Sequence, residues 1–149
     1  MSKAKQIIEL MEPFVEEGRL LHRSLEAINN SVDDFVVIEN ENQIIACAGL
    51  KVYQQENIGE IYALVVSKKF HNTDTSSQLM HLLIEKASNM QLKSIFALSK
   101  YGGRFFFRFD FNEDELSSLP ESRQKSYDYE RSSTIYLRNL WVNIDYSAL

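Results

Sequence analysis

Cysteine and histidine are scarce in this chain of 149 residues. Its single cysteine, Cys47, excludes an internal disulfide and is typical of a protein kept in a reducing cytosol. The three histidines are scattered and show neither CxxC nor HExxH spacing, so we expect no metal site. These absences predict a cytoplasmic protein that works without a metal cofactor.

Positive charge and long apolar runs are also lacking. The chain has 16 Lys and Arg against 21 Asp and Glu, a net charge of -5, and nucleic-acid binding needs a local excess of basic residues. Its apolar runs are too short to span a bilayer, and its N-terminus lacks the apolar block of a signal peptide. We therefore expect neither a nucleic-acid nor a membrane partner. No repeat or low-complexity linker is present, and the length predicts one domain over residues 1–149.

Helical periodicity begins near the N-terminus. Apolar residues recur at helical spacing from Ile7 to Val15. Pro13 lies inside this pattern, where it either kinks the helix or starts a new turn. Gly18 is a stop signal, and Ser24 predicts the N-cap of a short second helix.

The middle of the chain changes to strand periodicity. A third helix is predicted over about Thr75 to Met90, with Thr75-Ser76-Ser77-Gln78 as its capping box, and a short helix begins at Leu119-Pro120-Glu121. The predicted strands are Phe35–Ile38, Gln43–Tyr53, Ile58–Val66, Ser94–Ser99 and Ser133–Leu137. The aromatic block Phe105–Phe109 is expected to face the core rather than a ligand, and Asn112–Glu115 is expected to form a solvated acidic loop. This order predicts a mixed α+β domain.

Four stretches occur in a characteristic order and register. They are Gly18-Arg19-Leu20-Leu21-His22-Arg23-Ser24, then Ala46-Cys47-Ala48-Gly49-Leu50-Lys51 followed by Gly59-Glu60-Ile61, then Leu119-Pro120-Glu121-Ser122-Arg123-Gln124-Lys125-Ser126-Tyr127, and finally Arg131-Ser132-Ser133. Together, from about Gln6 to Leu140, they resemble the acetyltransferase domain of the N-acetylglutamate synthase family. The resemblance implies the GNAT fold, a mixed and mostly antiparallel sheet flanked by helices that binds acetyl-CoA between its two central strands. Compared with that family, the usual first strand and the amino-acid kinase domain are missing from this sequence.

The resemblance implies a set of acceptor-binding residues. Lys51 and Arg131 match the family's basic positions, Ser133 matches its hydroxyl, and Leu20 and His22 lie on its first loop, with His22 in place of the family's arginine. A planar arginine and a lysine point charge suit an acceptor with two carboxylates, such as glutamate. The alternative is that Lys51 and Arg131 pair with acidic residues on neighbouring strands.

The reaction itself needs a proton acceptor for the amine and a proton donor for the leaving thiolate. Glu60 could accept the amine proton, through water, or it could be a strand carboxylate paired across the sheet. Ser99 matches the family's polar residue near the thioester and could protonate the thiolate, or it could cap the strand end. Backbone N–H groups of Leu64, Val65 or Val66 could polarise the thioester carbonyl if the strand splays there, as the resemblance implies. Cys47 is expected to be a small buried residue rather than a nucleophile.

The coenzyme loop departs from the family pattern. Where GNAT enzymes carry [QR]-x-x-G-x-[GA], this chain has His71, Asn72, Thr73, Asp74, Thr75 and Ser76, without a glycine. Backbone N–H groups at the following helix N-terminus would cradle the pyrophosphate, and Asp74 either competes for those donors or serves only as a helix cap. His71 could still donate a hydrogen bond to a phosphate.

Three functions fit these residues. The first is acetyl transfer from acetyl-CoA to the α-amine of an amino acid, with L-glutamate and hence arginine biosynthesis as the specific expectation. The second is a degenerate GNAT-fold protein that acts as a binding or regulatory module. The third is a GNAT enzyme with another acyl donor or acceptor. The first is our prediction, for a monomer or a homodimer acting on a small-molecule substrate.

Overall fold

The computed structural model describes residues 2–141. Within this range the helices are α1 (Lys3–Glu16), α2 (Leu25–Asn30), α3 (Thr75–Asn89), α4 (Gly103–Phe107) and α5 (Glu121–Lys125). The strands are β1 (Phe35–Asn40), β2 (Gln43–Tyr53), β3 (Ile58–Val66), β4 (Ser94–Ser99), β5 (Asn112–Asp114) and β6 (Thr134–Asn139). Short 3-10 turns cover Val32–Asp34, Lys68–Phe70 and Leu116–Ser118.

The strands form a mixed sheet in the order β1-β2-β3-β4-β6-β5. β1 is antiparallel to β2, β3 is parallel to β4, and β6 is antiparallel to both β4 and β5. This arrangement confirms the predicted α+β class. The strands predicted at Gln43–Tyr53, Ile58–Val66 and Ser94–Ser99 have those bounds in the structure.

The first helix ends, and the second begins, where their sequence signals predict, whereas α1 begins at Lys3, before the predicted apolar pattern. The Ser24 hydroxyl accepts a hydrogen bond from the Ala27 N–H at 3.0 Å and caps α2. α1 runs through Pro13 to Glu16, and Gly18 follows with φ +74°, a conformation that glycine adopts without steric cost. Pro13 lies in the last turn of α1. It lacks a backbone N–H to continue the helical hydrogen bonds, and the helix ends shortly afterwards at Glu16.

Four local predictions need correction. Asn112–Asp114 is a strand rather than a loop, because its backbone pairs with β6 although its side chains are exposed. Thr75 opens α3 itself, so the capping-box assignment is wrong. The Gln78 side chain instead donates to the Asp74 carboxylate at 3.0 Å. The last strand begins at Thr134 rather than Ser133. In the aromatic block, Phe106 is buried but Phe107 is about half exposed.

The chain divides into two compact units. Unit 1 comprises residues 2–50 and 62–85, and unit 2 comprises residues 51–61 and 86–141 of the described chain. The core of unit 1 joins the two N-terminal helices to the first three strands, through Ile7, Met11, Phe14, Ile28, Phe35, Ile44, Cys47, Ala63 and Val65. The core of unit 2 contains Ile58, Phe96, Leu119, Ile135 and Leu137. Within residues 2–141, no helix has the length and apolarity that crossing a bilayer requires.

Candidate functional site

In unit 1, strand β3 contains a local break at Ala63. Ala63 has φ +50°, a left-handed backbone conformation that residues other than glycine rarely adopt. The Cys47 thiol lies 3.6 Å from the Ala63 carbonyl oxygen and donates to it. The parallel pairing between β3 and β4 ends at Ile61 and Ala97, whereas β3 continues to Val66. The backbone from Leu64 to Val66 therefore lies beyond that pairing.

Cys47 is a buried thiol, as predicted. It is fully buried, and burial raises its pKa to about 12. The thiolate is the reactive form of cysteine, so a thiol with this pKa is not a nucleophile near neutral pH. Its contact with the Ala63 carbonyl gives it a structural role in β3.

The predicted coenzyme residues of unit 1 lie at the end of β3 and in the loop that follows it. Leu64 is half-buried, Val65 and Val66 are buried, and the His71 Nε2 atom lies 2.8 Å from the Val66 carbonyl oxygen. With the Nε2 proton in place, His71 donates to this carbonyl, so that nitrogen is occupied in the present arrangement. His71 also packs against the Phe14 ring, with a centroid distance of 6.1 Å.

Side-chain hydroxyls stabilise the loop that replaces the family's glycines. The Thr73 hydroxyl donates to the Phe70 carbonyl at 2.5 Å and accepts from the Thr75 N–H at 3.3 Å. Asn72 takes a left-handed conformation with φ +63°, a conformation that asparagine tolerates well. Asp74 is exposed at the start of α3, Thr75 is buried and Ser76 is half-buried. The loop thus has a defined shape that does not depend on glycine.

The loop that carries Leu20 and His22 is anchored through the next arginine. The Arg23 guanidinium donates to the Leu21 carbonyl at 3.3 Å and lies over the Tyr62 ring, 5.3 Å from its centroid. Leu20 packs on the core of unit 1, whereas His22 is exposed. The Arg23 contact fixes the carbonyl that lies between these two predicted acceptor residues.

Tyr62, which supports Arg23, is itself tightly held. Its hydroxyl donates to Asp34 at 2.8 Å, and its ring meets Phe35 edge-on at 5.4 Å. Burial is the main reason why the pKa of Tyr62 rises to about 12. Gly49 lies directly beneath the ring, where a Cβ atom would be 2.5 Å from Tyr62 Cζ.

In unit 2, the Glu60 carboxylate is buried and has two partners. Glu60 is 8% exposed, its Oε1 accepts from the Tyr53 hydroxyl at 2.8 Å, and Arg123 Nε donates to Oε1 at 3.0 Å and to Oε2 at 3.2 Å. The pKa of Tyr53 is raised well above its usual range by burial and by the Glu60 charge, so Tyr53 stays a phenol and a donor. The predicted cross-strand carboxylate therefore has an arginine partner on α5.

The predicted acceptor cations are not used in ion pairs. Within residues 2–141, neither Lys51 nor Arg131 belongs to a salt bridge, so the alternative of pairing with neighbouring carboxylates is not observed. Lys51 Nζ lies 5.0 Å from the centroid of the Tyr53 ring, which links it to the Glu60 cluster. Ser133 is buried, and its carbonyl accepts from the Tyr127 hydroxyl at 2.7 Å. Both cations keep their charge available for a carboxylate.

Ser99 caps the end of β4, as its alternative interpretation predicted. Its Oγ atom accepts from the N–H groups of Tyr101 and Gly102, at 3.3 and 3.0 Å. These two bonds use the lone pairs of the oxygen and leave the hydroxyl proton for donation. Capping and the predicted donation to a thiolate are therefore compatible.

Tyr53, Tyr62 and Arg123 were not predicted as site residues. Arg123 lies in one of the stretches that resemble the family, and that position is the sequence signal by which it could have been identified. Its partner Glu60 is 63 positions away, so the pairing could not be derived from local patterns. No group of three or more potential metal ligands occurs in the part of the chain that the structure describes.

Comparison with known proteins gives one consistent result. Residues 4–111 match the acetyltransferase (GNAT) family. Amino-acid acetyltransferases of Photorhabdus laumondii and Buchnera aphidicola are each 36% identical over 134 and 131 residues, which is 90% and 88% of this chain and 30% of each relative. The crystal structure of N-acetylglutamate synthase from Neisseria gonorrhoeae, in complex with coenzyme A and N-acetyl-glutamate, superposes with a TM-score of 0.87 at 33% identity. This match covers 94% of this chain and 34% of that one. The chain thus spans about a third of the length of these relatives.

Proposed function

Since the chain belongs to the GNAT acetyltransferase family, we propose that it transfers an acetyl group from acetyl-CoA to the α-amine of an amino acid. The observation that carries the proposal is the break in β3. Its ladder with β4 ends at Ile61, and Ala63 turns the strand at φ +50°. On the side of β3 that faces away from β2, the backbone from Leu64 to Val66 lies beyond the ladder with β4, so an N–H group on that side can donate to a ligand, and a thioester carbonyl is the acceptor that the family resemblance implies.

The loop and helix that follow β3 suit the coenzyme's charged end. The N-terminus of α3 presents backbone donors and the positive end of a helix dipole, which attract a pyrophosphate. Of the six loop residues from His71 to Ser76, Ser76 carries a hydroxyl that can supply a further donor, whereas the Thr73 and Thr75 hydroxyls already bond within the loop. Asp74 works against binding because its charge repels phosphate.

The chemistry assigned to unit 2 is proton transfer. The acceptor's amine nitrogen forms a bond to the acetyl carbon while the bond from that carbon to sulfur breaks. Glu60 takes the proton that the amine loses, directly or through water, and Ser99 gives its hydroxyl proton to the departing thiolate. A solvent proton then restores Ser99, and Glu60 releases its proton to solvent.

L-glutamate is the acceptor that we propose. It carries two carboxylates, and Lys51 and Arg131 are two cations without a carboxylate partner among residues 2–141. Ser133 in unit 2, and Leu20 and His22 in unit 1, are further proposed acceptor contacts. The proposed product is N-acetylglutamate, and the pathway proposed for it is cytoplasmic arginine biosynthesis.

One observation favours a second function. Asp74 is exposed at the start of α3, and it occupies the loop position that the family reserves for glycine. A chain in which this charge abolishes coenzyme binding would be a binding or regulatory module built on the GNAT fold.

Two measurements on the purified protein separate these functions. Calorimetric titration with acetyl-CoA tests coenzyme binding, and release of free thiol in the presence of L-glutamate tests transfer. We expect binding in the micromolar to millimolar range and thiol release that depends on glutamate. Absence of binding at millimolar acetyl-CoA would favour the module.

Substitution of His22 tests the choice of acceptor. We expect His22→Arg to lower the KM for glutamate, because a guanidinium binds a carboxylate with two hydrogen bonds. Other amino acids serve as the control, assayed with the same variant. Thiol release that is supported equally by aspartate or glycine would contradict the glutamate assignment.

A further inference from the structure

The Glu60 carboxylate, the proposed base, accepts three hydrogen bonds from two side chains. Both of its oxygens accept from Arg123 Nε, and Oε1 accepts from Tyr53 as well. Oε1 thus uses two lone-pair directions, whereas Oε2 uses one and keeps another open. The contacts select Oε2 as the atom that can receive a proton.

Arg123 is itself fixed from the other side. Its Nη1 atom donates to the Ser126 carbonyl at 3.2 Å and to the Ser126 hydroxyl at 3.0 Å. Its side chain is 22% exposed and that of Glu60 is 11% exposed, so the pair is largely withdrawn from solvent. At this burial an ion pair interacts strongly, and removal of one partner leaves the other charge uncompensated.

We propose that Arg123 is a positioning residue for acetyl transfer, which fixes the orientation of the Glu60 carboxylate and directs its Oε2 atom to the acceptor's amine proton. This inference rests on the proposed function for its catalytic meaning, but the contact with Glu60 can be tested without turnover. Arg123 touches neither the acetyl group nor the amine in this role and acts only through Glu60.

The other groups around the carboxylate do not replace Arg123. Among residues 2–141, the side chains that donate hydrogen bonds to the Glu60 carboxylate are Tyr53 on β2 and Arg123 on α5. Tyr53 donates a neutral hydrogen bond, and Lys51 stands over the Tyr53 ring, 5.0 Å from its centroid, rather than at the carboxylate. Glu56 lies in the turn before β3, where its carboxylate accepts from the Glu121 N–H at 3.1 Å and adds negative charge near Tyr53. Arg123 is therefore the cation in direct contact with Glu60.

The decisive experiment compares Arg123→Gln with Lys125→Gln, a control on the same helix. Lys125 pairs with Glu121 at 3.6 Å, and both side chains of that pair are largely exposed. The carbon-13 chemical shift of the Glu60 carboxyl, assigned by the loss of its signal in Glu60→Gln, is measured by NMR at neutral pH. We expect this signal to move in Arg123→Gln, which removes the donor to both carboxylate oxygens, and to stay in place in Lys125→Gln.

Kinetics supply the catalytic half of the test. We expect Arg123→Gln to lower kcat at least tenfold and to leave the acetyl-CoA dissociation constant within twofold. Arg123→Lys, which returns the charge without the planar fork, should recover part of kcat and part of the original position of the Glu60 signal. Melting temperatures of all variants show whether each protein is folded.

The outcomes are separable. An unmoved Glu60 signal in folded Arg123→Gln would overturn the inference, whatever the activity. A moved signal with an unchanged kcat would overturn the positioning role in catalysis. If the wild-type protein shows no transfer, the proposed function fails, and the NMR comparison alone still decides whether Arg123 fixes the Glu60 carboxylate.

Discussion

Alanine at Gly49 would collide with one of the most constrained side chains of unit 1. Its Cβ atom would lie 2.5 Å from Tyr62 Cζ and 2.6 Å from Cε1, where ordinary contacts begin at 3.4 Å. The ring must therefore retreat by about 1 Å, or β2 must shift by a similar amount. Since β2 is buried from Ile44 to Leu50, we expect the ring to move.

The cost follows from what the ring would leave. A retreat of about 1 Å would stretch the 2.8 Å hydrogen bond to Asp34 beyond bonding range. Loss of a hydrogen bond to a charged group costs about 1.5–3 kcal/mol, and overpacking alone costs about 1–3 kcal/mol. We expect Gly49→Ala to lower the free energy of unfolding by about 2 kcal/mol, which for this chain length is about 4–8 °C in melting temperature.

Thermal melting of Gly49→Ala, Tyr62→Leu and the double variant provides the assay. In the Tyr62→Leu background the ring is gone, so alanine at position 49 should cost little, and the double-mutant cycle should show a coupling of about 1 kcal/mol or more. Because Tyr62 also supports Arg23, Gly49→Ala should raise the KM for the acceptor. Additive effects in the cycle would refute the steric argument, and so would a melting temperature within about 1 °C of wild type.

The remaining predictions concern ligands and titration. Arg131→Ala should weaken the acceptor by about 2–4 kcal/mol in kcat/KM, and an equal loss of acetyl-CoA affinity in calorimetry would show instead that Arg131 is structural. Asp74→Asn should tighten acetyl-CoA several-fold, since even a screened repulsion of about 1 kcal/mol is about a fivefold effect on the dissociation constant, and unchanged calorimetric affinity would contradict the repulsion. Cys47 should resist thiol reagents in the native protein and react on unfolding, and prompt labelling of the folded chain would contradict its burial. Because the pKa of Tyr62 rises to about 12 on folding, the native state binds its proton more tightly. Stability should therefore fall as pH rises from about 10 towards 12, and Tyr62→Phe should flatten that fall in urea unfolding.

The regular elements could be predicted because their signals are local. Ser24 marks a helix start, Gly18 marks a helix end, and the apolar runs of the central strands have lengths that only strands fit. The edge strand Asn112–Asp114 could not be predicted in this way, because a strand with fully exposed side chains carries no apolar alternation.

Site residues could be predicted from the sequence only where they lie in a stretch that matches a family motif. Glu60 and Arg131 lie in stretches with such a motif, whereas the Arg123 contact with Glu60 depends on tertiary folding. Sequence reasoning also left Glu60 undecided between a proton acceptor and a paired strand carboxylate. The structure pairs Glu60 with Arg123 on helix α5 rather than with a charged residue across the sheet, and the proposed base function is now a question about a carboxylate that already has an arginine partner.

The exposed acidic strand β5 has a consequence for how the protein behaves in concentrated solution. Among residues 2–141 it is an outermost strand of the sheet, and such strands can recruit further chains through their outer backbone groups. Glu113 and Asp114 place negative charge along that edge, so two copies that approach through it repel each other. Acidification neutralises carboxylates and removes this protection. Aggregation by edge-to-edge sheet extension should therefore set in on the acid side, and β5 is the segment through which it should begin.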